Sequence, residues 1–225
     1  MKKKKRSALP VHANNPRAAF TLAEVLIALT IIGVAAALTV PALIQRTQKQ
    51  EYVSALQKVY STLSQATNMI IAENGSPKGD EGWADSSDHV YQLYKKYLNN
   101  VKECGSEAGC SHRLKLKSGA ADPTNWETYT DAKKLILSDG VQLAFYYADA
   151  GKCDKNEDGT LNICAKIGVD LNGEKGPNQW GRDYFRFVIK EDGLYPMGCD
   201  SEACVNSVYG GGCACKVLRE GAMNY

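Results

Sequence analysis

The chain has 225 residues with 27 basic and 25 acidic side chains, so its formal net charge is only +2. Six of the basic residues and none of the acidic ones lie in the first 19 positions, and the other 206 residues carry 21 basic and 25 acidic side chains. A nucleic-acid-binding domain usually presents a strongly basic surface. The charge balance therefore argues against nucleic acid as a partner of the main part of the chain.

A basic leader, residues 1–19, precedes an apolar run at residues 20–44. At a rise of about 1.5 Å per residue, a helix of this length crosses a bilayer core of about 30 Å. Basic residues before a span keep the N-terminus in the cytoplasm. We therefore expect a single-pass membrane protein whose bulk lies outside the cytoplasm. One carboxylate, Glu24, lies inside the run. Burying a charge in a membrane costs free energy, so a carboxylate at this position suggests a function.

After the run, apolar residues recur at spacings of three and four, which predicts that the helix continues as an amphipathic segment. These residues are Tyr52, Val53, Leu56, Val59, Tyr60, Leu63, Ala66 and Ile70. The sequence Asn74-Gly75-Ser76-Pro77 then provides a stop signal, because glycine suits the end of a helix and proline cannot continue one. We predict one long helix at residues 20–73 and a globular head at residues 74–225.

In the head, the sequence pattern predicts a short helix near residues 88–98, followed by strands. Residues 134–137 and 141–147 flank an Asp-Gly turn, which is a strong hairpin signal. Residues 162–169 and 184–190 are further strand candidates. We expect the rest of residues 76–133, and everything from Cys199 onward, to be irregular. A long helix packed on a small antiparallel sheet is an α+β fold, in which the amphipathic half of the helix covers one sheet face.

All eight cysteines lie in the head: Cys104, Cys110, Cys153, Cys164, Cys199, Cys204, Cys213 and Cys215. An even number of cysteines in an exported domain indicates disulfides that staple its loops. We predict the two short-range pairs Cys104–Cys110 and Cys153–Cys164, and leave the other pairings open. The absence of a C-x-x-C motif and the presence of only three histidines disfavour a zinc site.

The junction between leader and apolar run, Ala19-Phe20-Thr21-Leu22-Ala23-Glu24, closely resembles the processing signal of type IV prepilins and type II secretion pseudopilins. This resemblance implies a pilin-like fold, cleavage by prepilin peptidase between Ala19 and Phe20, and N-methylation of Phe20. The family usually has glycine before the cut, and this chain keeps a small side chain there. Glu24 becomes the fifth residue of the mature chain, where the family has a glutamate.

Cleavage creates a free α-amine at a helix end in apolar surroundings, and the Glu24 carboxylate of a neighbouring subunit can pair with it. The alternative is that Glu24 is solvated near the lipid headgroups. Within the run, Gly33 is expected to allow close helix packing. Pro41 is expected to kink or loosen the helix, or to be an ordinary proline near the membrane edge.

Two acidic turns are candidates for calcium. Asp154, Asn156 and Asp158 fit the first half of an EF-hand loop pattern, and Asp170 lies in a second, shorter turn. Ala165 stands where the loop's closing glutamate would be, which excludes a full EF-hand. The alternative, which we favour, is that both stretches are ordinary Asp/Asn/Gly turns, so we expect no obligatory cofactor.

These observations predict a structural subunit of a type IV pilus or a type II secretion pseudopilus. They do not predict an enzyme, because the sequence contains no recognisable arrangement of catalytic side chains. The resemblance implies as partners prepilin peptidase, other pilin or pseudopilin subunits, an inner-membrane platform protein and an assembly ATPase. It also implies that the subunit moves from the inner membrane into a filament.

Three alternatives remain open. The leader and apolar run could be an ordinary secretory signal cut after Ala37. The chain could be a minor or competence pilin whose head binds a ligand, with a local basic patch at Arg113, Lys115 and Lys117. It could also be a membrane-anchored extracytoplasmic binding protein or enzyme that never polymerises.

Overall fold

A computed structural model describes residues 21–157, 160–199, 204, 207–209 and 213–225. The chain divides into two compact units, Met1–Gln45 and Arg46–Tyr225. The first unit is described only by its helical part. The second unit contains the end of the long helix and the head, residues 74–225, with the sheet and the disulfides.

Helix α1 extends over Leu22–Asn74, and it remains helical across Pro41. Every described residue up to Glu51 is exposed. From Tyr52 onward, the helix buries a stripe at spacings of three and four, because its apolar residues there share one face. The buried positions are Tyr52, Val53, Leu56, Val59, Leu63, Ala66, Thr67 and Ile70. The prediction of a long N-terminal helix with an apolar half and an amphipathic half is confirmed.

The head adds two short helices and eight strands among the described residues. They are α2 (Ser87–Tyr97), β1 (Asn100–Gly105), β2 (Lys133–Leu137), β3 (Gln142–Ala148), β4 (Lys155–Glu157), β5 (Thr160–Ile163), β6 (Ala165–Asp170), β7 (Tyr184–Lys190), β8 (Gly193–Pro196) and α3 (Ala214–Glu220). The fold is therefore α+β, as predicted.

Six strands form one antiparallel sheet in the order β1-β2-β3-β6-β7-β8, while β4 and β5 form a separate hairpin between β3 and β6. The β2–β3 hairpin pairs Leu135 with Leu143. Its turn ends at Gly140, whose φ of +88° is a conformation that glycine adopts without strain. The Asp-Gly turn signal thus predicted this hairpin correctly.

The central strands β6 and β7 are buried on both faces of the sheet. Successive residues of a strand point to opposite sides, so Phe185, Phe187 and Ile189 of β7 join the core under α1 and α2. Tyr184 lies in a second apolar cluster with Leu114, Trp126 and Trp180. This two-sided burial explains why β7 is a continuous apolar run broken only by Arg186.

Four disulfides lie in the head. Two of them are the short-range pairs predicted from sequence, Cys104–Cys110 and Cys153–Cys164. The other two are Cys199–Cys215 and Cys204–Cys213, and they staple the segment around α3. The partners are separated by only 6 to 16 residues along the chain.

Three predictions about the head were wrong. The single strand expected at residues 162–169 is two strands in different sheets, because the chain turns at Cys164 and Asn162 has a φ of +58°. Strand β1 lies in a segment expected to be irregular; it is a largely exposed edge strand without the alternating pattern of a buried one. Helix α3 lies in the cysteine-rich segment that we expected to be a loop.

Candidate functional site at the start of the long helix

The predicted processing site straddles the beginning of the described part of the chain. Ala19 and Phe20, on either side of the expected cut, lie outside the described residues, and description starts at Thr21. Thr21 immediately precedes α1, and Glu24 lies in the first turn of this helix. The structure therefore shows the surroundings of Glu24 but not those of the scissile bond.

Thr21 and Glu24 form a reciprocal hydrogen-bonded cap. The backbone N–H and the hydroxyl of Thr21 both donate to Oε2 of Glu24, at 2.8 and 2.9 Å. The N–H of Glu24 donates to the Thr21 hydroxyl oxygen at 3.2 Å. This is the capping-box arrangement, in which a threonine and a glutamate three residues later satisfy free N–H groups at a helix start.

Thr21 was not among the site residues predicted from the sequence. The signal was present, because T-x-x-E before an apolar run is the sequence signature of this cap. Within the described residues, Glu24 makes no hydrogen bond through Oε1. The carboxylate is thus held in position by its own helix while one oxygen stays available.

The helix that follows exposes a long apolar surface. Its large apolar residues are 43–77% exposed: Leu22, Val25, Leu26, Ile27, Leu29, Ile31, Ile32, Val34, Leu38, Val40, Leu43 and Ile44. Among the described residues, α1 is the one helix long and apolar enough to cross a membrane. Polar groups inside it are satisfied locally, since the hydroxyls of Thr30 and Thr39 donate to the carbonyls of Leu26 and Ala35 at 2.8 and 2.9 Å.

Gly33 and Pro41 lie on this exposed surface. A Cβ added at Gly33 would meet nothing within 4 Å, so no contact inside the chain requires glycine there. Pro41 lies inside the helix without ending it. Their predicted roles in packing and bending stay predictions.

Comparison with known families agrees with this segment. Residues 14–40 match the protein-family model described as the prokaryotic N-terminal methylation motif. No curated protein and no solved structure matches the chain. The chain therefore carries a type IV prepilin-like signal, which implies processing by prepilin peptidase and assembly with other pilins, and which fits anchoring in a membrane.

The first calcium candidate is used for local hydrogen bonds in the β4–β5 hairpin. The N–H of Asp154 donates to Oδ2 of Asp149 at 2.9 Å, and Oδ1 of Asn156 accepts the N–H of Asn162 at 3.1 Å. Asp158 lies outside the described residues. The two side-chain oxygens accept N–H groups that lie five and six residues further along the chain, so they stabilise the hairpin and the loop before it. No group of three or more acidic, histidine or cysteine side chains suited to a metal is found in the described part of the chain.

The second candidate, Asp170, lies in a different environment. It is only 2% exposed, and Asp183 close by is fully buried. Burial, together with the charge of Asp183, raises the pKa of Asp170 to about 8, although the N–H groups of Asn172 and Gly173 act in the opposite direction. Burial also raises the pKa of Asp183. The sequence did not predict that these two carboxylates lie close together.

One lysine of the basic patch at Arg113, Lys115 and Lys117 makes contacts inside the head. Lys117 Nζ donates to the carbonyl of Cys204 at 2.5 Å and lies 5.3 Å from the ring centroid of Tyr225. Burial, followed by the charge of Lys216, lowers the pKa of Lys117. A lysine held in this way contributes less to a surface that would attract phosphate groups.

Proposed function

We propose that this chain is the precursor of a filament subunit, of either a type IV pilus or a type II secretion pseudopilus. Prepilin peptidase removes residues 1–19, methylates Phe20, and leaves a subunit that assembles through α1. The observation that carries this proposal is that the methylation-motif match coincides with a helix start that holds a carboxylate, Glu24, in an otherwise apolar exposed segment.

The cap at Thr21 gives Glu24 two successive roles. In the precursor, the carboxylate satisfies the N–H of Thr21 and keeps the first turn of α1 helical. After cleavage, the new α-amine lies on Phe20, one residue before this cap. A neighbouring subunit's Glu24 then offers a negative charge to that amine in surroundings of low dielectric, where pairing removes most of the cost of both charges.

The exposed apolar half of α1 supports the two states that we propose for the subunit, first in the membrane and then in the filament. In the inner membrane this surface is covered by lipid, with the basic leader in the cytoplasm and the head on the other side. In the filament the same surface packs against α1 of other subunits. A platform protein and a cytoplasmic ATPase would drive this transfer, and the chain itself acts as a structural component and not as an enzyme.

Two variants separate the assembly role of Glu24 from its capping role. Glu24→Gln keeps the cap, because glutamine serves at the same position of a capping box, but it removes the charge. Thr21→Val removes the capping hydroxyl and keeps the charge. Both chains are expressed in cells that contain the assembly machine, and sheared filaments are quantified together with the mass of the membrane-bound subunit.

We expect Glu24→Gln to abolish filaments while Thr21→Val retains them, with both subunits beginning at methylated Phe20. Equal filament yield from Glu24→Gln and the unmodified chain contradicts the proposed pairing. Loss of filaments in Thr21→Val alone assigns Glu24 a capping role only. A mature chain that begins after Ala37 overturns the proposal altogether, since it indicates ordinary secretion.

A further inference from the structure

The second compact unit contains a groove that is lined by its own first residues. Helix α1 contributes Arg46, Lys49, Gln50 and Val53, and the segment after α3 contributes residues 221–224. We call residues 221–225 the tail, and the cavity between them and α1 the α1–tail groove. Its volume is about 330 Å³. Sites for small molecules have volumes of about 300–1,000 Å³, so the groove is large enough to hold a small chemical group.

Three contacts hold the tail in place. Gly221 ends α3 with a φ of +62°, and its N–H closes the last turn of that helix at 2.9 Å. The side chain of Met223 is only 6% exposed and belongs to the same apolar core as Val53 of α1. The hydroxyl of Tyr225 donates to the carbonyl of Gly181. The tail is therefore a preformed wall of the groove, which is what a binding site requires.

The residues that line the groove are rich in hydrogen-bond donors without acceptors. Within the described residues, the backbone N–H groups of Ala222, Met223 and Asn224 donate to none. Arg46 forms no ion pair with any described residue. Nζ of Lys49 donates to the carbonyl of Met223 at 3.2 Å, and an ammonium group has three N–H donors. Backbone and cationic donors on one cavity are suited to an anion.

The charges around the groove agree with an anionic ligand. Its described lining contains two basic side chains and no acidic one. The acidic residues nearest to the lining in sequence are Glu51 and Glu220, and neither belongs to it. Glu220 pairs instead with Lys216 of α3, at 3.5 Å. The positive charge of the groove is therefore not compensated by its own lining.

The place of the groove in the sequence indicates which anion is at hand. Arg46 and Lys49 follow Ile44, the end of the apolar run, by two and five residues, which is about 3 and 8 Å of helix. Each headgroup layer of a bilayer is about 5–8 Å thick, the difference between its total and its hydrocarbon thickness. If the run spans a membrane as proposed, both side chains can therefore reach the lipid phosphates.

We propose that the α1–tail groove binds the phosphate of an anionic phospholipid in the leaflet on the side of the head. Arg46 and Lys49 supply the cationic donors, and the N–H groups of the tail supply the neutral ones. Arginine binds phosphate through two parallel hydrogen bonds, and lysine acts as a point charge. A zwitterionic lipid carries a cation of its own, so two basic side chains favour an anionic lipid. This inference rests on the membrane state of the proposed function.

The test places the full chain in lipid nanodiscs made of phosphatidylcholine alone or of phosphatidylcholine mixed with phosphatidylglycerol. Hydrogen exchange of the tail is then measured by mass spectrometry, because a bound phosphate protects the N–H groups that donate to it. We expect the tail to exchange about fivefold more slowly with phosphatidylglycerol, the factor that one basic residue contributes at an anionic surface. The exchange of strand β1, which lies outside the groove, should not change.

Arg46→Gln and Lys58→Gln form a matched pair of variants, since each removes one positive charge from α1. Lys58 lies outside the groove and pairs with Asp139 at 2.8 Å. Arg46→Gln should lose the slowing that phosphatidylglycerol causes, and it should fold normally because Arg46 is exposed. Lys58→Gln should keep this slowing. Arg46→Lys should keep part of it, because lysine retains the charge but not the paired hydrogen bonds.

Equal exchange of the tail in the two kinds of nanodisc overturns the proposal and assigns the tail N–H groups to water. An equal loss of slowing in Lys58→Gln and Arg46→Gln also contradicts it, since the general surface charge would then attract the lipid.

Two further results would replace the lipid by another ligand. Slowing by inorganic phosphate in phosphatidylcholine nanodiscs assigns the groove to free phosphate, and slowing that rises with the number of chains per disc assigns it to a second copy. A chain that enters neither kind of nanodisc contradicts the membrane state itself, so failure of the proposed function is distinguished from failure of this inference.

Discussion

The two halves of α1 belong to one continuous helix and yet differ in what surrounds them. Residues 22–45 expose every large apolar side chain, whereas the second half buries a stripe of residues between Tyr52 and Ile70. An apolar surface of the first kind is unfavourable in water and needs a partner outside the chain. The second half finds its partner within the head, where Tyr60 stacks on Phe187 with ring centroids 5.7 Å apart.

Because of this difference, the same kind of substitution is expected to have different effects in the two halves. In the first half, a substitution is expected to change membrane insertion or subunit association and to leave the stability of the head unchanged. In the second half, the same substitution is expected to reduce the free energy of unfolding of the head. Two substitutions in the second half, each with a matched control in the first half, test how sharply this division holds. A third substitution, Glu157→Gln, tests a charge inside the head.

The largest expected effect comes from leucine truncation. Leu63 is fully buried, so Leu63→Ala removes core contacts and leaves a cavity, and it should destabilise the head by about 2–5 kcal/mol. Leu29 is 61% exposed, so Leu29→Ala should leave the head unchanged within about 0.5 kcal/mol. Urea unfolding of each full chain in detergent, followed by near-ultraviolet circular dichroism, measures both values. A comparable loss in Leu29→Ala would show that the two halves are coupled in folding.

A smaller effect is expected at two threonines with similar local bonds. The hydroxyl of Thr67 donates to the carbonyl of Leu63 at 2.7 Å and also lies 2.5 Å from the hydroxyl of Tyr94. Thr67→Val leaves the buried Tyr94 hydroxyl without this partner and should cost about 1–3 kcal/mol. Thr39 makes the same backbone bond but faces outward, so Thr39→Val serves as the control and should be neutral. Equal unfolding midpoints for the two variants would contradict the assigned role of the Tyr94 contact.

The smallest effect is expected at Glu157, which binds Lys166 and, at 2.6 Å, Arg186. Burial alone would raise the pKa of Glu157, but the hydrogen bond from Lys166 and the charge of Arg186 lower it overall. Because the pKa in the folded state lies below its ordinary value, the ionised form stabilises the head above that value. This stabilisation is lost as the pH falls through the folded-state pKa.

We expect Glu157→Gln to cost about 1 kcal/mol at pH 7, because glutamine keeps an acceptor but loses the charge. The difference in the free energy of unfolding between Glu157→Gln and the unmodified chain should shrink as the pH falls to about one or two units below 4. Urea unfolding at a series of pH values measures it. A difference that stays constant with pH would show that Glu157 acts through packing and not through its charge.

Features determined by neighbouring residues were predictable from the sequence. The long helix, the β2–β3 hairpin and strand β7 follow from hydrophobic period and turn residues, which are local signals. The pairs Cys104–Cys110 and Cys153–Cys164 were predictable because their partners are close in sequence. The cap formed by Thr21 and Glu24 could have been found in the same way.

Features determined by distant pairing were not predictable. Asp170 and Asp183 are 13 positions apart, and only the antiparallel register of β6 and β7 brings them to one end of the sheet. From sequence, Asp170 looked like part of a turn, and nothing indicated that a second carboxylate returns to it. Strand β1 was missed for a similar reason, since an exposed edge strand is defined by its partner β2 and not by its own pattern.

The short separations of the four disulfides have a consequence for export. If the head is exported as proposed, each bond joins residues that can meet as soon as a segment of at most 17 residues has left the membrane, and the cost of closing such small loops is low. Cys104 and Cys153 each meet their partner before any later cysteine emerges. The bond Cys204–Cys213 lies inside the loop that Cys199–Cys215 closes, so we expect wrong pairs, and a need for isomerisation, only in this last segment.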